Sequence, residues 1–204
     1  MRRYSQNEVD ELANILKKDG VISVPTDTVY GVCARINSKK AHDKLVDIKK
    51  RPDNKSFPVM CLNEEQIKGI AIVNSNAEKL IRAFMPGPIT LVLNKRPEVF
   101  SYINNAGTRI SDELAVRIVP LKVLEELIQK TGSPIFLTSA NISGEKVCNS
   151  LDDIEKMFPN LDGILEGEIS FGQASTIVDC TSSEIKIQRP GPISVEKIME
   201  VLKK

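Results

Sequence analysis

The sequence predicts an α/β protein that folds as a single domain over residues 1–204. Helical patterns and short apolar strand patterns alternate from end to end, which is typical of layered α/β architectures. A chain of 204 residues with 41% hydrophobic side chains can bury roughly 70% of its unfolded surface around one core. No stretch rich in Gly, Pro or Ser marks a boundary to a second domain.

The N-terminal helix is predicted from a capping box. Ser5 is followed three residues later by Glu8, and this pair satisfies the first free amides of a helix. Apolar residues then recur at helical spacing until Gly20, which is expected to end the helix. The apolar run at 21–24 follows directly and predicts a buried strand.

The second helix is predicted from a cap at Ser38, and it is expected to end at Arg51 because Pro52 disfavours a helical predecessor. The turn at 86–88, Pro-Gly-Pro, cannot be helical and is expected to lead into a strand. The same rules predict further strands at 58–62, 89–93, 115–119, 135–138, 176–179 and 184–189, and helices at 64–70, 77–84, 122–130, 150–158 and from 194.

Charge and hydropathy exclude several classes of protein. The chain has 28 Lys+Arg against 27 Asp+Glu, a net charge of +1, which removes the bulk electrostatic basis for a histone-like nucleic-acid binder. Any site for a polyanion must therefore be local. The apolar runs fall far short of the ~20 residues that a membrane span needs, and no signal-peptide pattern opens the chain. We therefore expect a soluble, cytoplasmic protein.

The cysteines are expected to be structural. The four cysteines form no C-x-x-C pair, and His42 is the single histidine, which argues against a structural zinc site. Cys33, Cys61 and Cys180 lie in apolar segments and are expected to be small core residues. A catalytic Cys-His pair would require His42, which falls in a charged helix.

The segment 25–31, Pro-Thr-Asp-Thr-Val-Tyr-Gly, places four polar side chains directly after a buried strand. Ligands of open α/β sheets bind at the carboxyl ends of strands, so this loop is a candidate binding element. The alternative is a simple turn, in which Asp27 caps local amides and Gly31 adopts a positive φ.

The window 49–55 carries a net charge of +3 from Lys49, Lys50, Arg51 and Lys55 against one aspartate. An arginine can clamp two phosphate oxygens while a lysine supplies a compact charge, so the window is a candidate anion site. The alternative is a solvated basic loop after a helix.

Arg117 stands in a strand that is otherwise apolar, and a buried guanidinium must find an anion. Its partner could be a structural carboxylate, such as Asp112 or Glu113, or the carboxylate of a bound ligand. The segment 139–144, Ser-Ala-Asn-Ile-Ser-Gly, likewise follows a strand end and is either a binding loop or an Asx-type turn. The sequence lacks the phosphate-binding P-loop, the dinucleotide fingerprint and the zincin motif.

Seven short motifs occur together in this chain. They are P-T-D-T-V-Y-G at 25–31, K-x-R at 49–51 with a following lysine, P-G-P-I-T-L-V-L at 86–93, A-V-R-I-V-P at 115–120, S-A-N-I-S-G at 139–144, S-T-I-V-D at 175–179 and R-P-G at 189–191. In this order and spacing they resemble the YrdC/TsaC family of L-threonylcarbamoyladenylate synthases. The resemblance runs from about residue 8 to the C-terminus and matches the short form of the family.

The resemblance implies a twisted mixed β-sheet with flanking helices and a concave basic cleft. It also implies an enzyme that condenses L-threonine, bicarbonate and ATP, with Mg²⁺ bridging the phosphates, into threonylcarbamoyl-AMP and pyrophosphate. No protein ligands for a metal are identified. The product would pass to a partner enzyme that modifies tRNA, the tRNA threonylcarbamoyltransferase.

Site residues follow from the same resemblance, motif by motif. Lys49 and Arg51, the K-x-R signature, are the implied catalytic residues. The implied threonine-binding residues are Thr28, Arg117, Ser139 and Ser175, and the implied ATP-binding residues are Arg51, Lys55, Asn141 and Arg189. Two positions depart from the family pattern: Lys50 stands where a small residue is common, and Glu113 stands where a hydroxyl residue often meets the nucleotide.

Two alternatives remain open on the sequence alone. One is a YciO-like relative that binds nucleotide or double-stranded RNA without synthase activity. The other is the carbamoyl-handling domain of hydrogenase maturation factors, whose additional modules 204 residues cannot hold.

Overall fold

The computed structural model describes residues 1–51, 56–99, 112–169 and 173–203, and the strands in this part of the chain form one mixed sheet. The strands are β1 (Arg3–Tyr4), β2 (Ile22–Val24), β3 (Gly31–Arg35), β4 (Val59–Met60), β5 (Ala71–Ile72), β6 (Ile89–Lys95), β7 (Glu113–Arg117), β8 (Ile135–Ser139), β9 (Gly163–Leu165), β10 (Thr176–Asp179) and β11 (Lys186–Arg189).

Helices flank the sheet, as the alternating pattern predicts. The α-helices are α1 (Val9–Lys17), α2 (Lys39–Lys49), α3 (Glu64–Ile70), α4 (Ser75–Phe84), α5 (Lys122–Thr131), α6 (Leu151–Met157) and α7 (Val195–Lys203), and a short 3-10 helix at Gln6–Glu8 precedes α1. None of the helices within the described ranges is long and apolar enough to cross a membrane.

The order of strands across the sheet is β1-β9-β2-β3-β8-β4-β7-β6-β10-β11, with β5 paired to β6 off this path. The pairs β1 with β9, β2 with β9, β4 with β7 and β6 with β10 are parallel, and the others are antiparallel. This arrangement confirms the mixed α/β fold.

The two faces of the sheet are covered unequally. Helices α2, α3, α4, α6 and α7 contribute to a hydrophobic cluster that includes the inner residues of β6, β7 and β10. On the opposite face, α1 and α5 pack over β2, β8 and β9 through residues such as Leu12, Leu16 and Leu127. No residue of β6, β7 or β10 in the described chain joins this second cluster. That half of the sheet therefore remains available for a cleft.

Two helix ends differ from the sequence-based expectation. Helix α1 ends at Lys17, and Asp19 rather than Gly20 takes the left-handed conformation, with φ 67°. Gly20 is needed for space instead, because a Cβ there would lie 2.3 Å from Ile15 Cγ2. Helix α2 ends at Lys49, two residues before Arg51, because Lys50 adopts φ 47° and its backbone amide bonds back to the helix.

The sequence analysis did not predict β1, β3, β5 and β9 as separate elements. The strand predicted at 115–119 begins and ends two residues earlier, at Glu113–Arg117.

The turn alternative for segment 25–31 is wrong in one respect. Gly31 does not adopt a positive φ; it opens β3, where a Cβ would lie 2.5 Å from Leu137 Cδ1 of the neighbouring strand.

Candidate active site

A cleft of about 700 Å³ lies over the uncovered half of the sheet. It brings together Thr28, Arg51, Arg117, Ser139, Asn141, Ser175 and Arg189. These are all of the predicted site residues except Lys49, which is not among the described lining residues, and Lys55, which lies outside the described residues. Arg117, Ser139 and Arg189 are the last residues of β7, β8 and β11, whereas Ser175 immediately precedes β10.

Arg117 is buried and forms an ion pair with Asp27. The guanidinium donates from Nη2 to both carboxylate oxygens, at 2.5 and 2.6 Å. It also donates from Nε to the Gly87 carbonyl at 2.9 Å and from Nη1 to Thr28 Oγ1 at 3.2 Å. The structural partner is therefore neither Asp112 nor Glu113. The need for an anion was apparent from the sequence, whereas the partner comes from a loop 90 residues away.

The Asp27–Arg117 pair is almost fully desolvated, with each side chain about 5% exposed or less. Burial raises the pKa of Asp27 above its usual value, and the charge of Arg117 opposes that rise. Because an arginine stays protonated in proteins, the pair carries no net charge at neutral pH. Thr28 and Arg117 are among the described residues that line the cleft, and Asp27 is not. The carboxylate therefore holds the guanidinium from the side that faces away from the cleft.

The loop before β3 holds its own shape. Thr26 Oγ1 accepts hydrogen bonds from the amides of Thr28 and Val29, both at 3.1 Å, and donates to the Val29 carbonyl at 2.6 Å. The Thr26 hydroxyl thus organises the turn, a role that the sequence analysis gave to Asp27 in its turn alternative. Tyr30 Oη donates to the Gly167 carbonyl and anchors the end of the loop.

Lys49, at the end of α2, has a side chain that is only 1% exposed. Its ammonium donates to the Ser139 carbonyl at 2.5 Å, to Asn141 Oδ1 at 3.1 Å and to the Asn141 carbonyl. Burial, with a smaller contribution from Arg51, lowers the pKa of Lys49 to about 7. The lysine therefore meets the end of β8 and the turn that follows, residues 139–145, which we call the β8 loop.

The side chain of Asn141 is used within the β8 loop. Its Oδ1 also accepts from Ser139 Oγ at 2.7 Å. Its Nδ2 donates to the carbonyls of Ile142, at 3.0 Å, and Glu145, at 2.9 Å. The Asn141 side chain therefore closes the loop through its Nδ2 group and not through the bond from a backbone amide to Oδ1 that defines an Asx-type turn, because the Ser143 amide donates to the Lys49 carbonyl instead. Asn141 also lines the cleft wall.

The Arg51 guanidinium stacks on the ring of Phe57. Its guanidinium carbon is 4.5 Å from the centre of the Phe57 ring, and Nη2 donates to the Ser56 carbonyl at 2.5 Å. Phe57 in turn meets the rings of His42 and Phe136. Burial lowers the pKa of Arg51 from its usual value. The sequence analysis missed Phe57, although an aromatic residue close to a basic signature is a signal for such stacking.

Ser175 and Arg189 both line the cleft and are joined by a hydrogen bond. Arg189 donates from Nε to the Ser175 carbonyl at 3.0 Å, and Ser175 Oγ shares a hydrogen bond of 2.8 Å with Thr90 Oγ1. The turn after β11 lies very close to this pair, since a Cβ on Gly191 would be 2.4 Å from the Thr176 amide nitrogen. Thr90, a lining residue, was not singled out from the sequence.

Glu113 is exposed and is not among the described residues that line the cleft. It lies on the same face of β7 as Arg117 but about 13 Å along the strand, at ~3.3 Å per residue.

The four cysteines are buried and free, which confirms the expected core role of Cys33, Cys61 and Cys180. Within the described ranges, no three His, Cys, Asp or Glu side chains form a group that could hold a metal ion.

The arrangement matches a known family. The family model Sua5_yciO_yrdC, described as telomere recombination, matches residues 14–191. The chain belongs to the Sua5/YciO/YrdC family. The resemblance that the seven motifs indicate is thereby confirmed.

Among curated members of the Sua5/YciO/YrdC family, a putative threonylcarbamoyl-AMP synthase of Methanocaldococcus jannaschii is 30% identical over 96% of this chain and 94% of its own. The threonylcarbamoyl-AMP synthase of Pyrococcus abyssi is 31% identical over 98% of this chain but only 58% of its own length. The chain therefore corresponds to nearly all of the first relative and to little more than half of the second.

Solved structures of the Sua5/YciO/YrdC family have the same fold. The crystal structure of P. abyssi Sua5 complexed with L-threonine matches with a TM-score of 0.88 and 28% identity, over 98% of this chain and 60% of that chain. The crystal structure of E. coli YciO matches with a TM-score of 0.84 at 22% identity, over 97% and 98% of the two chains. At that identity the YciO match shows the fold alone.

Proposed function

We propose that this protein is a threonylcarbamoyl-AMP synthase, which condenses L-threonine, bicarbonate and ATP and releases pyrophosphate. The observation that carries the proposal is the cleft itself. It places a guanidinium backed by a carboxylate at one side and two further arginines, Arg51 and Arg189, elsewhere on the wall. Synthases so named among the relatives, and the threonine complex of one of them, support this function.

The threonine would bind against Arg117. The guanidinium reaches the cleft beside Thr28, and Ser139 and Ser175 supply hydroxyl groups on the same wall. A threonine zwitterion carries no net charge, and neither does the Asp27–Arg117 pair behind it. The substrate carboxylate would therefore join a charge-assisted contact without leaving an excess charge in a desolvated pocket.

The ATP phosphates would lie toward Arg51 and Arg189. The charged residues among the described lining are arginines, with no carboxylate among them, so this side suits an anion. Lys55 and Asn141 are proposed to contact the nucleotide as well. Mg²⁺ is proposed to enter with ATP as part of the substrate, bound through the phosphate oxygens, because the described lining residues offer no carboxylate to hold it.

The reaction needs no protein nucleophile. The neutral threonine amine attacks CO2 derived from bicarbonate, loses a proton and becomes a carbamate. A carbamate oxygen then attacks the α-phosphate of ATP, and the bond to the β-phosphate breaks with release of pyrophosphate. The protein positions the reactants and neutralises charge that develops on the phosphates, and these contributions are large in a cleft that excludes water.

The product, threonylcarbamoyl-AMP, is a reactive mixed anhydride, and we propose that a tRNA threonylcarbamoyltransferase consumes it in the cytoplasm. A YciO-like function, binding nucleotide or RNA without synthesis, would leave ATP intact. The two proposals therefore differ in one measurable product.

Pyrophosphate release from ATP and Mg²⁺ tests the proposal directly. We expect release to require both L-threonine and bicarbonate, because the carbamate must form before the α-phosphate is attacked. The Arg117→Met variant serves as the control that removes the threonine contact. Equal release without either substrate would indicate simple hydrolysis of ATP to AMP and pyrophosphate. Nucleotide binding with no release would favour the YciO-like alternative.

A further inference from the structure

We propose that Lys49 is a positioning residue that holds the β8 loop in shape and acts on threonine through Ser139, rather than a ligand of the ATP phosphates. This inference rests on the proposed function and refines it, because the K-x-R signature implies direct catalytic contact for both of its basic residues. The structure distinguishes the two: Arg51 lines the cleft, whereas Lys49 is not among the described lining residues.

The ammonium of Lys49 is already fully used. An ammonium has three N–H donors, and three oxygens of one short segment accept from it: the carbonyls of Ser139 and Asn141 and the Asn141 side-chain oxygen. A phosphate could reach this ammonium only by displacing at least one of these oxygens. The displaced oxygen would lose a charge-assisted hydrogen bond, which costs free energy even though Asn141 Oδ1 and the Ser139 carbonyl each keep a second donor.

The backbone of Lys49 is tied to the same loop. Its carbonyl oxygen accepts from the Ser143 amide at 3.1 Å. Both ends of the residue therefore fasten the β8 loop to the end of α2. Lys50, in the left-handed conformation, ends the helix immediately after Lys49, so the chain turns away and leaves this carbonyl for the loop.

A continuous chain of hydrogen bonds leads from Lys49 to the cleft. Asn141 Oδ1 accepts from the ammonium at 3.1 Å and from Ser139 Oγ at 2.7 Å. The Ser139 hydroxyl lines the cleft and is a proposed threonine ligand. Lys49 thus fixes Asn141, and Asn141 orients the hydroxyl. Losing the ammonium would disturb the threonine side of the cleft even when no nucleotide is bound.

The decisive measurement is the affinity for L-threonine without nucleotide, determined by calorimetric titration. We expect Lys49→Met to raise the threonine dissociation constant about tenfold, or about 1.4 kcal/mol. Arg51→Met, two residues along the chain, should leave this constant within twofold while weakening ATP. Lys40→Met, the same substitution on the exposed face of α2, is the matched control and should change neither affinity.

A double-mutant cycle sharpens the test. If Lys49 and Asn141 act as one unit, Lys49→Met and Asn141→Ala together should weaken threonine binding no more than the stronger single variant. The effects of Lys49→Met and Arg51→Met on the rate of pyrophosphate release should instead add on a logarithmic scale. Hydrogen exchange of the Ser143 and Cys148 amides reports the loop itself, since they bond to Lys49 and Ala140 carbonyls. Both should exchange faster in Lys49→Met.

Wild-type threonine affinity and wild-type loop exchange in Lys49→Met, with ATP weakened as in Arg51→Met, would overturn the inference and make Lys49 a phosphate ligand. If Lys49→Met does not fold, Asn141→Ala can be used instead, because it removes one acceptor and keeps the ammonium. Wild-type threonine affinity in Asn141→Ala would also overturn the inference. A wild-type protein that binds no threonine would contradict the proposed function instead, and hydrogen exchange would still test the loop.

Discussion

Two buried cations, Arg117 on the cleft wall and Lys49 beside it, are stabilised in different ways. Arg117 faces a full counter-charge, the carboxylate of Asp27, within a pair that is nearly inaccessible to solvent. Lys49 faces only carbonyl and amide oxygens, and within the described chain no acidic side chain forms an ion pair with it. The first cation is electrically neutralised and fixed in its charged form, while the second keeps its charge only through dipoles and has a pKa near 7.

The arginines of the cleft wall suggest a division of the cleft by charge. On the Arg117 side, a zwitterionic amino acid can bind without creating an excess charge. Arg51 and Arg189 add two further cationic groups to the described cleft wall, and these suit an anion. We expect variants of the two sides to affect different substrates, and the predictions below test that separation.

The largest effect is expected for Arg117→Met. It should raise the threonine dissociation constant by about 10- to 100-fold, since a charge-assisted contact of ~1.5–3 kcal/mol is lost, and it should hardly change ATP affinity. Because Asp27 would remain buried without its partner, unfolding free energy should also fall by roughly 3–5 kcal/mol. Thermal melts of the protein without ligand should show a drop of about 10 °C.

The double variant Arg117→Met/Asp27→Asn separates these two effects of Arg117. Removing the stranded charge should recover much of the melting temperature but none of the threonine affinity. Wild-type threonine affinity in Arg117→Met, combined with a depressed melting temperature, would reduce Arg117 to a purely structural residue.

An intermediate effect is expected for Phe57→Leu, which removes the ring beneath Arg51. A cation–π contact of ~0.5–2 kcal/mol predicts ATP binding that is about three- to thirtyfold weaker, with threonine affinity unchanged. Phe136→Leu is the matched control, because Phe136 meets the same His42 ring but is not the ring stacked on Arg51. Equal losses of ATP affinity in both variants would attribute the effect to the core rather than to Arg51.

Within one pH unit above neutrality, the smallest effect is expected for the titration of Lys49. Its pKa is lowered to about 7 in the folded protein from 10.5 in the ordinary group, so the unfolded chain binds more protons between these values. Stability contributed by this residue therefore rises with pH from about 7 to 10.5. Between pH 7 and 8 the gain is at most about 1.4 kcal/mol, the value of one proton per pH unit.

The measurement is the unfolding free energy in urea, determined for wild type and for Lys49→Met at several pH values from 7 to 10.5. The difference between the two proteins gives the contribution of Lys49. The charged and titratable groups that act on Lys49 are Arg51 and the Cys148 thiol, and both are present in the two proteins. A difference that is flat with pH would show that the Lys49 ammonium does not titrate in this range. Lys49 would then resemble Arg117 more closely than the structure indicates.

Most of the fold was accessible from the sequence because the long apolar segments and their caps are local signals. Ser38 caps α2 by accepting from the Ala41 amide, as its position predicts. The two-residue strands β1 and β5 were missed because so short a segment shows no periodicity. The start of β3 was obscured by Gly31, whose role is close packing against Leu137 and not a turn.

The sequence predicted which residues form the site but not which of them contact each other. The seven motifs include most of the side chains that meet in the cleft. The sequence could not indicate that Asp27 pairs with Arg117, or that Lys49 faces Asn141, since both contacts join residues about 90 positions apart. Such pairs depend on strand order, which a single sequence does not encode locally.

The absence of a side chain at Gly191 allows the turn after Arg189 to approach Ser175. A Cβ at this position would be 2.4 Å from the Thr176 nitrogen and 2.7 Å from the Ala174 carbonyl oxygen, and both of these atoms belong to the backbone. Neither can move aside without displacing β10, so the turn that follows Arg189 could no longer approach Ser175. If position 191 were randomised and the library selected for synthesis, we expect the survivors to encode glycine alone. The identity of residue 191 is therefore set by its distance to neighbouring backbone atoms and not by the charges that line the cleft.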